Sequence, residues 1–423
     1  MSSPATRPGY VPRFTDSLLA ELLDELPAVM INGPRGCGKT TTGLRRARTV
    51  VRLDEPRQAA AFAAAPDAAL AAASTPVLLD EWQEVPEVLG AVKRAVDAAD
   101  GPGRYLLTGS VRGRTSGEMW AGTGRVTPVA MFGLTVAEAR GSLDARHFLE
   151  YLFDPARHPA PALPDAPDVP EYVDLALRGG FPEAMNLGDR ARGAWFAGYV
   201  EQLIQRDAAS ISPIRAPERL QACLRAVAAC TASTPADVTL AEAAGIDVRT
   251  VRSYLDLLED LRVVERLQPW YTNRLTRLVK TAKLHLIDPA LMGTLLGVDA
   301  RAVLLDGHLL GQLLESFVVA QLRPLLALGE TPIAMSHLRD RGGEHEIDVV
   351  LESRRGEVVA IEVKAAPRVE RRDVGHLEWL RDRLGDQFVR GVVLTTGTAG
   401  EGLGDRLVSL PIAAIWTPTA LRR

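Results

Sequence analysis

Eight residues, Gly33-Pro34-Arg35-Gly36-Cys37-Gly38-Lys39-Thr40, follow the short apolar run Pro27-Ala28-Val29-Met30-Ile31. Glycine, four residues, then Gly-Lys-Thr is the spacing of a loop that wraps phosphates between a strand and a helix. Gly33, Gly36 and Gly38 let main-chain N–H groups curl inward, and a helix opening there presents its positive dipole end. Lys39 has the reach for β- and γ-phosphates, and the Thr40 hydroxyl suits magnesium. Pro34, Arg35, Cys37 and Thr41 complete the lining. A chance glycine-rich turn is the alternative, and the flanking strand and helix patterns argue against it. The motif implies a bound nucleoside triphosphate. Oxidation of Cys37 would hinder binding there, although the cysteine also fits as a small residue filling a loop position.

A second constellation lies downstream in Pro76-Val77-Leu78-Leu79-Asp80-Glu81. A buried strand ending in two acids would present Asp80 to a magnesium ion and Glu81 to an attacking water. A third run, Arg104-Tyr105-Leu106-Leu107-Thr108-Gly109-Ser110, would lie between the other two strands and aim Thr108 or Ser110 at the γ-phosphate. An ordinary Gly-Ser turn after a buried strand remains open. Arg112 and Arg125 are positioned by sequence to serve as an arginine beside the γ-phosphate, or equally as surface ion pairs. If a neighbouring copy supplies that arginine, turnover requires a homo-oligomer.

The third constellation is C-terminal. His345 to Leu351 and Val358 to Lys364 read as two strands joined by the turn Arg354-Arg355-Gly356-Glu357. Alternation puts Glu362 and Lys364 on one face, and pairing brings Asp348 beside them. Two carboxylates that can hold a hard cation, with a lysine to position water, are the parts of a magnesium-dependent phosphodiester hydrolase. Glu315, on the helical run Leu309 to Leu322, would complete the acidic metal site with Asp348 and Glu362. The competing reading is a charged sheet edge that deters aggregation. The strand Arg390 to Thr395 would extend the same sheet.

These residues need elements to position them. Helical and strand segments alternate after the phosphate loop, beginning with a helix over Thr41 to Thr49, and imply an α/β fold with a parallel sheet. The nucleotide would lie at the strands' carboxyl ends. Six prolines between Pro155 and Pro170 exclude a helix and mark a loop or linker. Helices Tyr172 to Leu177 and Ala191 to Ser210 would form a lid ending at Arg206 and Asp207. Thr239 and Glu242 suggest a capping box, Gly245-Ile246-Asp247 a turn, and Val248, Val251, Leu255, Leu258 and Leu261 one helical face. Val263 to Leu267 and Lys283 to Ile287 would form the wing of a winged helix. Arg249, Thr250, Arg252 and Ser253 would face a DNA groove, with Arg274, Arg277, Lys280 and Lys283 as a basic stretch beside it. A packing module without DNA contact is the alternative.

Length and composition set outer limits. A chain of 423 residues exceeds one ordinary core. Hydrophobic content of 47% with 24% charged residues is that of a soluble globular protein. A net charge of −4 excludes a generally cationic nucleic-acid coat while allowing a local basic face. Three cysteines form no disulfide or metal-ligand framework and fit a reducing cytoplasm. No run reads as a membrane span or secretory signal.

The order of motifs resembles the prokaryotic AAA-type ATPases that carry a C-terminal domain of uncharacterised function. The matching pieces are Tyr10-Val11-Pro12-Arg13, the phosphate loop, Leu79-Asp80-Glu81-Trp82-Gln83 and Leu107-Thr108-Gly109-Ser110. Further matches are Gly124-Arg125-Val126, Gly179-Gly180-Phe181-Pro182-Glu183-Ala184 and Arg206-Asp207. Trp82 and Phe132-Gly133-Leu134 depart from the family pattern. The Asp348, Glu362-x-Lys364 spacing is similar to the restriction-endonuclease-like nuclease fold. The resemblance implies an AAA-type ATPase domain over 1–150, a linker and lid over 151–210, a winged helix over 211–290 and a nuclease-like domain over 291–423. It implies ATP hydrolysis with Mg2+ in a DNA-related process. ATP is expected over GTP because no Asn-Lys-x-Asp segment is present. The alternative is a regulatory or adaptor protein whose C-terminal acids are structural.

Overall fold

The computed structural model describes residues 9–110, 124–144, 146–157, 162–211, 216–271, 281–329, 332–340, 343–417 and 421. Arg112, Arg274, Arg277 and Lys280 lie outside them. The chain divides into two compact units. The first is Met1–Gly133 with Phe181–Glu183 and Asp260–Arg262; the second is Leu134–Gly180, Ala184–Glu259 and Val263–Arg423. The first expected segment, 1–150, is thus divided at Gly133, and the helix-turn-helix residues as far as Glu259 share a unit with the C-terminal sheet.

In the first unit five parallel strands are ordered β2-β3-β4-β1-β5. They are β1 (Ala28–Asn32), β2 (Thr49–Arg52), β3 (Val77–Asp80), β4 (Tyr105–Gly109) and β5 (Thr127–Ala130). β1, β3 and β4 are buried along their whole length, as strands covered on both faces must be. Their apolar runs are the cause. Each fully buried Val or Leu contributes about 1.5–3 kcal/mol, and one face packs with Phe62, Leu70, Trp82 and Leu89 while the other packs with Leu19, Leu23 and Cys37. β4 lies between β1 and β3, as the sequence suggested. The helix after the phosphate loop, Lys39–Leu44, is shorter than the sequence suggested. Gly43 lets it close on the sheet, since a Cβ there would lie 2.9 Å from Leu78.

The second unit holds a six-stranded sheet ordered β12-β13-β11-β10-β9-β8. Its strands are β8 (Ile333–Arg339), β9 (Glu346–Ser353), β10 (Val358–Lys364), β11 (Phe388–Thr395), β12 (Glu401–Gly404) and β13 (Leu407–Pro411). β9 and β10 form the expected antiparallel hairpin, and β11 runs parallel to β10. A two-stranded antiparallel ribbon, β6 (Val264–Leu267) with β7 (Lys283–Leu286), follows the helices Asp237–Ala244 and Val248–Asp260. The first of these helices has Ala236 as its N-cap. Thr239 therefore lies inside it, and the capping box with Glu242 is not formed. The turn is as expected, with left-handed Gly245 closing the helix. Val251, Leu255, Leu258 and Leu261 are buried, while Arg249, Arg252 and Ser253 are exposed.

The helix Gly307–Leu326 is long and apolar enough to cross a membrane by length and composition, yet 61% of its apolar window is buried in the protein. Its polar residues bond inward. Gln312 donates to the Ala229 carbonyl, Ser316 meets Thr231, and Gln321 accepts from the Val136 N–H. Those pairings are those of a core helix.

Candidate functional site

The phosphate loop is held from behind. Arg13, buried, donates from Nη1 to the Cys37 carbonyl at 2.8 Å and from Nη2 to the Phe132 carbonyl at 2.7 Å. Tyr10 meets Asp16 at 2.7 Å and Thr42 at 3.0 Å, tying the N-terminal segment to the helix after the loop. The Tyr10-Val11-Pro12-Arg13 motif is thus a brace for the loop.

The loop's glycines are required by conformation and by space. Gly36 and Gly38 have φ of 78° and 103°, the left-handed region that side chains disfavour. A Cβ on Gly33 would lie 2.1 Å from the Met131 carbonyl oxygen. Lys39 is buried, and its ammonium donates to the Pro34 carbonyl at 3.0 Å across the loop. Cys37 is wholly buried in this packing, which supports its reading as a small filling residue.

Opposite the loop stands Asp80, at the end of β3. Its Oδ1 accepts from Thr40 at 2.8 Å and from Thr108. Burial raises the Asp80 pKa above its ordinary value although Thr108 and Thr40 pull it down, and neighbouring Glu81 raises it further. Thr40 and Asp80 are the donor set Mg2+ prefers, hydroxyl and carboxylate oxygens. The Asn32 side-chain oxygen, buried at the end of β1, has no hydrogen-bond partner. The residues present fit a nucleotide with its metal.

Glu81 has φ of 55° and is half-buried, its side chain accepting from Gln83. Thr108 accepts from the Glu81 N–H at 3.3 Å, so it orients both acids. Ser110 is buried and accepts from Gln83 at 3.4 Å. Gln83, which the sequence marks only as part of a motif, thus links Glu81 to Ser110. Arg125 belongs elsewhere. It pairs with Asp97 at 2.8 Å on the surface and precedes β5, at the amino edge of the parallel sheet.

The C-terminal residues also assemble. Glu362 accepts from Lys364 at 3.2 Å, and the Asp348 Oδ2 accepts from the Val363 N–H at 3.0 Å. Glu315 reaches the cluster from the helix Gly307–Leu326. The sequence placed Lys283 on a basic wing surface; instead its side chain is 1% exposed and its ammonium meets Glu315 at 2.8 Å, Asp348 at 3.2 Å and Glu346 at 3.4 Å. Burial opposes its charge, and the three carboxylates outweigh that, holding its pKa above the usual lysine range. Burial likewise works on the acids. It raises Glu315 and Glu362, each further raised by the Asp348 charge, whereas Lys283 and the Val363 N–H hold Asp348 below its ordinary value against burial.

The motif pair Gly179-Gly180 has a packing cause in the second unit. A Cβ on Gly179 would lie 2.6 Å from Asp288, whose other oxygen accepts from the Gly180 N–H at 2.7 Å.

Loop, strand order and buried acid together define an α/β phosphate-loop nucleotide-binding domain of the AAA type. Comparison with known proteins agrees: residues 25–140 match the AAA domain family. Residues 169–302 and 310–415 match two families, each described as a domain of unknown function (DUF8612 and DUF4143). The chain is 28% identical over 412 residues to uncharacterized proteins of Mycobacterium bovis and Mycobacterium tuberculosis, covering 94% of this chain and 83% of each relative. A Walker-type ATPase of Pyrococcus abyssi aligns over 69% of this chain and 98% of its own, at 13% identity and a TM-score of 0.42.

Proposed function

We propose that this chain binds ATP with Mg2+ at the loop Gly33 to Thr41 and hydrolyses it. In this reading Lys39 neutralises the β- and γ-phosphates, Thr40 and Asp80 steady the metal, and Glu81 polarises the attacking water. The observation that carries it is the contact of Thr40 and Thr108 with Asp80, beside a buried Lys39. Lys39→Ala is expected to abolish ATP binding measured by calorimetry. Glu81→Gln is expected to bind ATP normally and turn over about 100-fold or more slowly. Parental turnover in Glu81→Gln would end the assignment of that residue.

Turnover would act in a DNA-related process through a winged helix whose second helix is Val248–Asp260. Support comes from the exposed Arg249, Arg252 and Ser253 after the left-handed turn at Gly245. Duplex binding that weakens with salt, and weakens further in Arg249→Ala, is the expected behaviour. The arginine beside the γ-phosphate would come from Arg112 or from a second copy of the chain. A cytoplasmic setting accords with Cys37, Cys223 and Cys230, all unpaired. The C-terminal sheet is read as restriction-endonuclease-like, on the meeting of Asp348 with the Glu362–Lys364 pair at adjacent strand ends.

A further inference from the structure

The carboxylates of the C-terminal sheet are already provided with a cation. Lys283 opens β7, and its ammonium is surrounded by one oxygen each from Glu315, Asp348 and Glu346 at 2.8–3.4 Å. An ammonium has three protons to donate, and three carboxylate oxygens stand around this one. With the Lys283 side chain 1% exposed, this partnership is what lets the charge stay buried.

A divalent ion at this cluster would draw on the same oxygens. Hard cations sit about 2.0–2.6 Å from carboxylate oxygen, so an ion on Asp348 Oδ1 or Glu315 Oε1 would fall within about 6 Å of the ammonium. Like charges that close, with little water between them, repel strongly. The pair that would bridge a metal is also divided. Asp348 gives Oδ1 to Lys283 and Oδ2 to the Val363 N–H, whereas Glu362 gives Oε2 to Lys364. The Glu362 Oε1 has no hydrogen-bond partner, but it has no second ligand oxygen free of a lysine or main-chain bond on Asp348 to work with. The donor set therefore does not fit a two-carboxylate metal site while Lys283 keeps its place.

We infer that Lys283 is the resident cation of this cluster and keeps divalent metal out of it. The inference does not depend on ATP hydrolysis. Its test titrates Mn2+ into full-length, nucleotide-free protein carrying Asp80→Asn, so that the carboxylate facing the phosphate loop is removed, and counts bound ions by electron paramagnetic resonance. No Mn2+ site that depends on Asp348 is expected up to about 1 mM, the weak end of protein sites for hard cations; any ion at the separate group Asp340, Glu344 and His345 is insensitive to Asp348→Asn. Adding Lys283→Met should create one site, at least about tenfold tighter, and adding Asp348→Asn should remove it. Lys283→Gln, which keeps a donor without the charge, serves where Lys283→Met does not fold. Mn2+ bound to the Lys283-containing protein and lost with Asp348→Asn would overturn the inference whether or not the lysine variants fold. A folded lysine variant that gains no Mn2+ sensitive to Asp348→Asn would overturn it as well.

Discussion

Arg13 is the residue through which the N-terminal segment should control nucleotide affinity. Arg13→Met keeps most of the aliphatic stem and removes the guanidinium that holds the Cys37 and Phe132 carbonyls at 2.8 and 2.7 Å. A hydrogen bond to a charged donor contributes about 1.5–3 kcal/mol. Two such bonds set an upper range, reduced by the desolvation that burying a guanidinium costs. A net loss of about 2–4 kcal/mol in the stability of the first unit follows. The effect on binding is separate. Freed of its carbonyl anchor, the Cys37–Gly38 stretch must be ordered by the ligand, at about 1–2 kcal/mol per residue. The Lys39 and Cys37 bonds to the Pro34 carbonyl still restrain the loop, so only part of that cost applies. The expectation is ATP binding weaker by about 10- to 100-fold, read by fluorescent-nucleotide titration on protein whose circular dichroism is unchanged. Arg13→Lys, with one donor group in place of a fork, should fall between. A folded Arg13→Met that binds ATP as tightly as the parent would refute the brace.

Two further outcomes follow from the geometry. Gly33→Ala drives a Cβ to 2.1 Å from a main-chain oxygen, which no rotamer change relieves; it should cost about 1–3 kcal/mol in urea unfolding and weaken ATP binding in parallel. Burial raises the Asp288 pKa from 3.8 to about 6, with the N–H groups of Gly180 and Ala290 pulling it down. Because the folded state holds this proton more tightly, its stabilisation is full below pH 3.8 and lost as pH rises to about 6. Relative to the parent, Asp288→Asn should therefore gain about 2 kcal/mol between pH 4 and pH 6.5, and a constant difference in urea midpoints across that range would contradict the assignment.

The strands were legible where burial on both faces leaves an unbroken apolar run. Val77 to Leu79, Tyr105 to Leu107 and Val358 to Ile361 could hardly be anything else, and each runs into residues that the sequence singled out. Arg13 was legible only as part of a motif. Its partners are main-chain carbonyls 24 and 119 residues away, and a carbonyl leaves no mark on sequence. Lys283 was misread for a related reason. β7 is buried at every position, so its Lys-Leu-His-Leu alternation does not separate an inner from an outer face. One signal was available: Glu315, Asp348 and Glu362 were gathered into one buried cluster with Lys364 as their sole counter-charge. Such a cluster calls for a further cation, and Lys283 is the one the structure brings to it.

A parallel sheet also sorts residues by end, and this takes Arg125 away from the γ-phosphate of its own chain. The register pairs Val29 with Thr127, so Arg125 stands two residues before that level and Gly33 four residues after it. At about 3.3 Å per residue, six residues separate the two along the strand axis by roughly 20 Å, well beyond an arginine side chain. Distance in sequence from the phosphate loop could not reveal this, because it depends on which way β5 runs beside β1. With Asp97 as its partner, Arg125 is a surface ion pair of the kind that contributes about 0–1 kcal/mol. The opposite, carboxyl end of this sheet is where Lys39, Thr40, Asp80, Glu81 and Thr108 come together, brought there by β1, β3 and β4 and the adjoining loop.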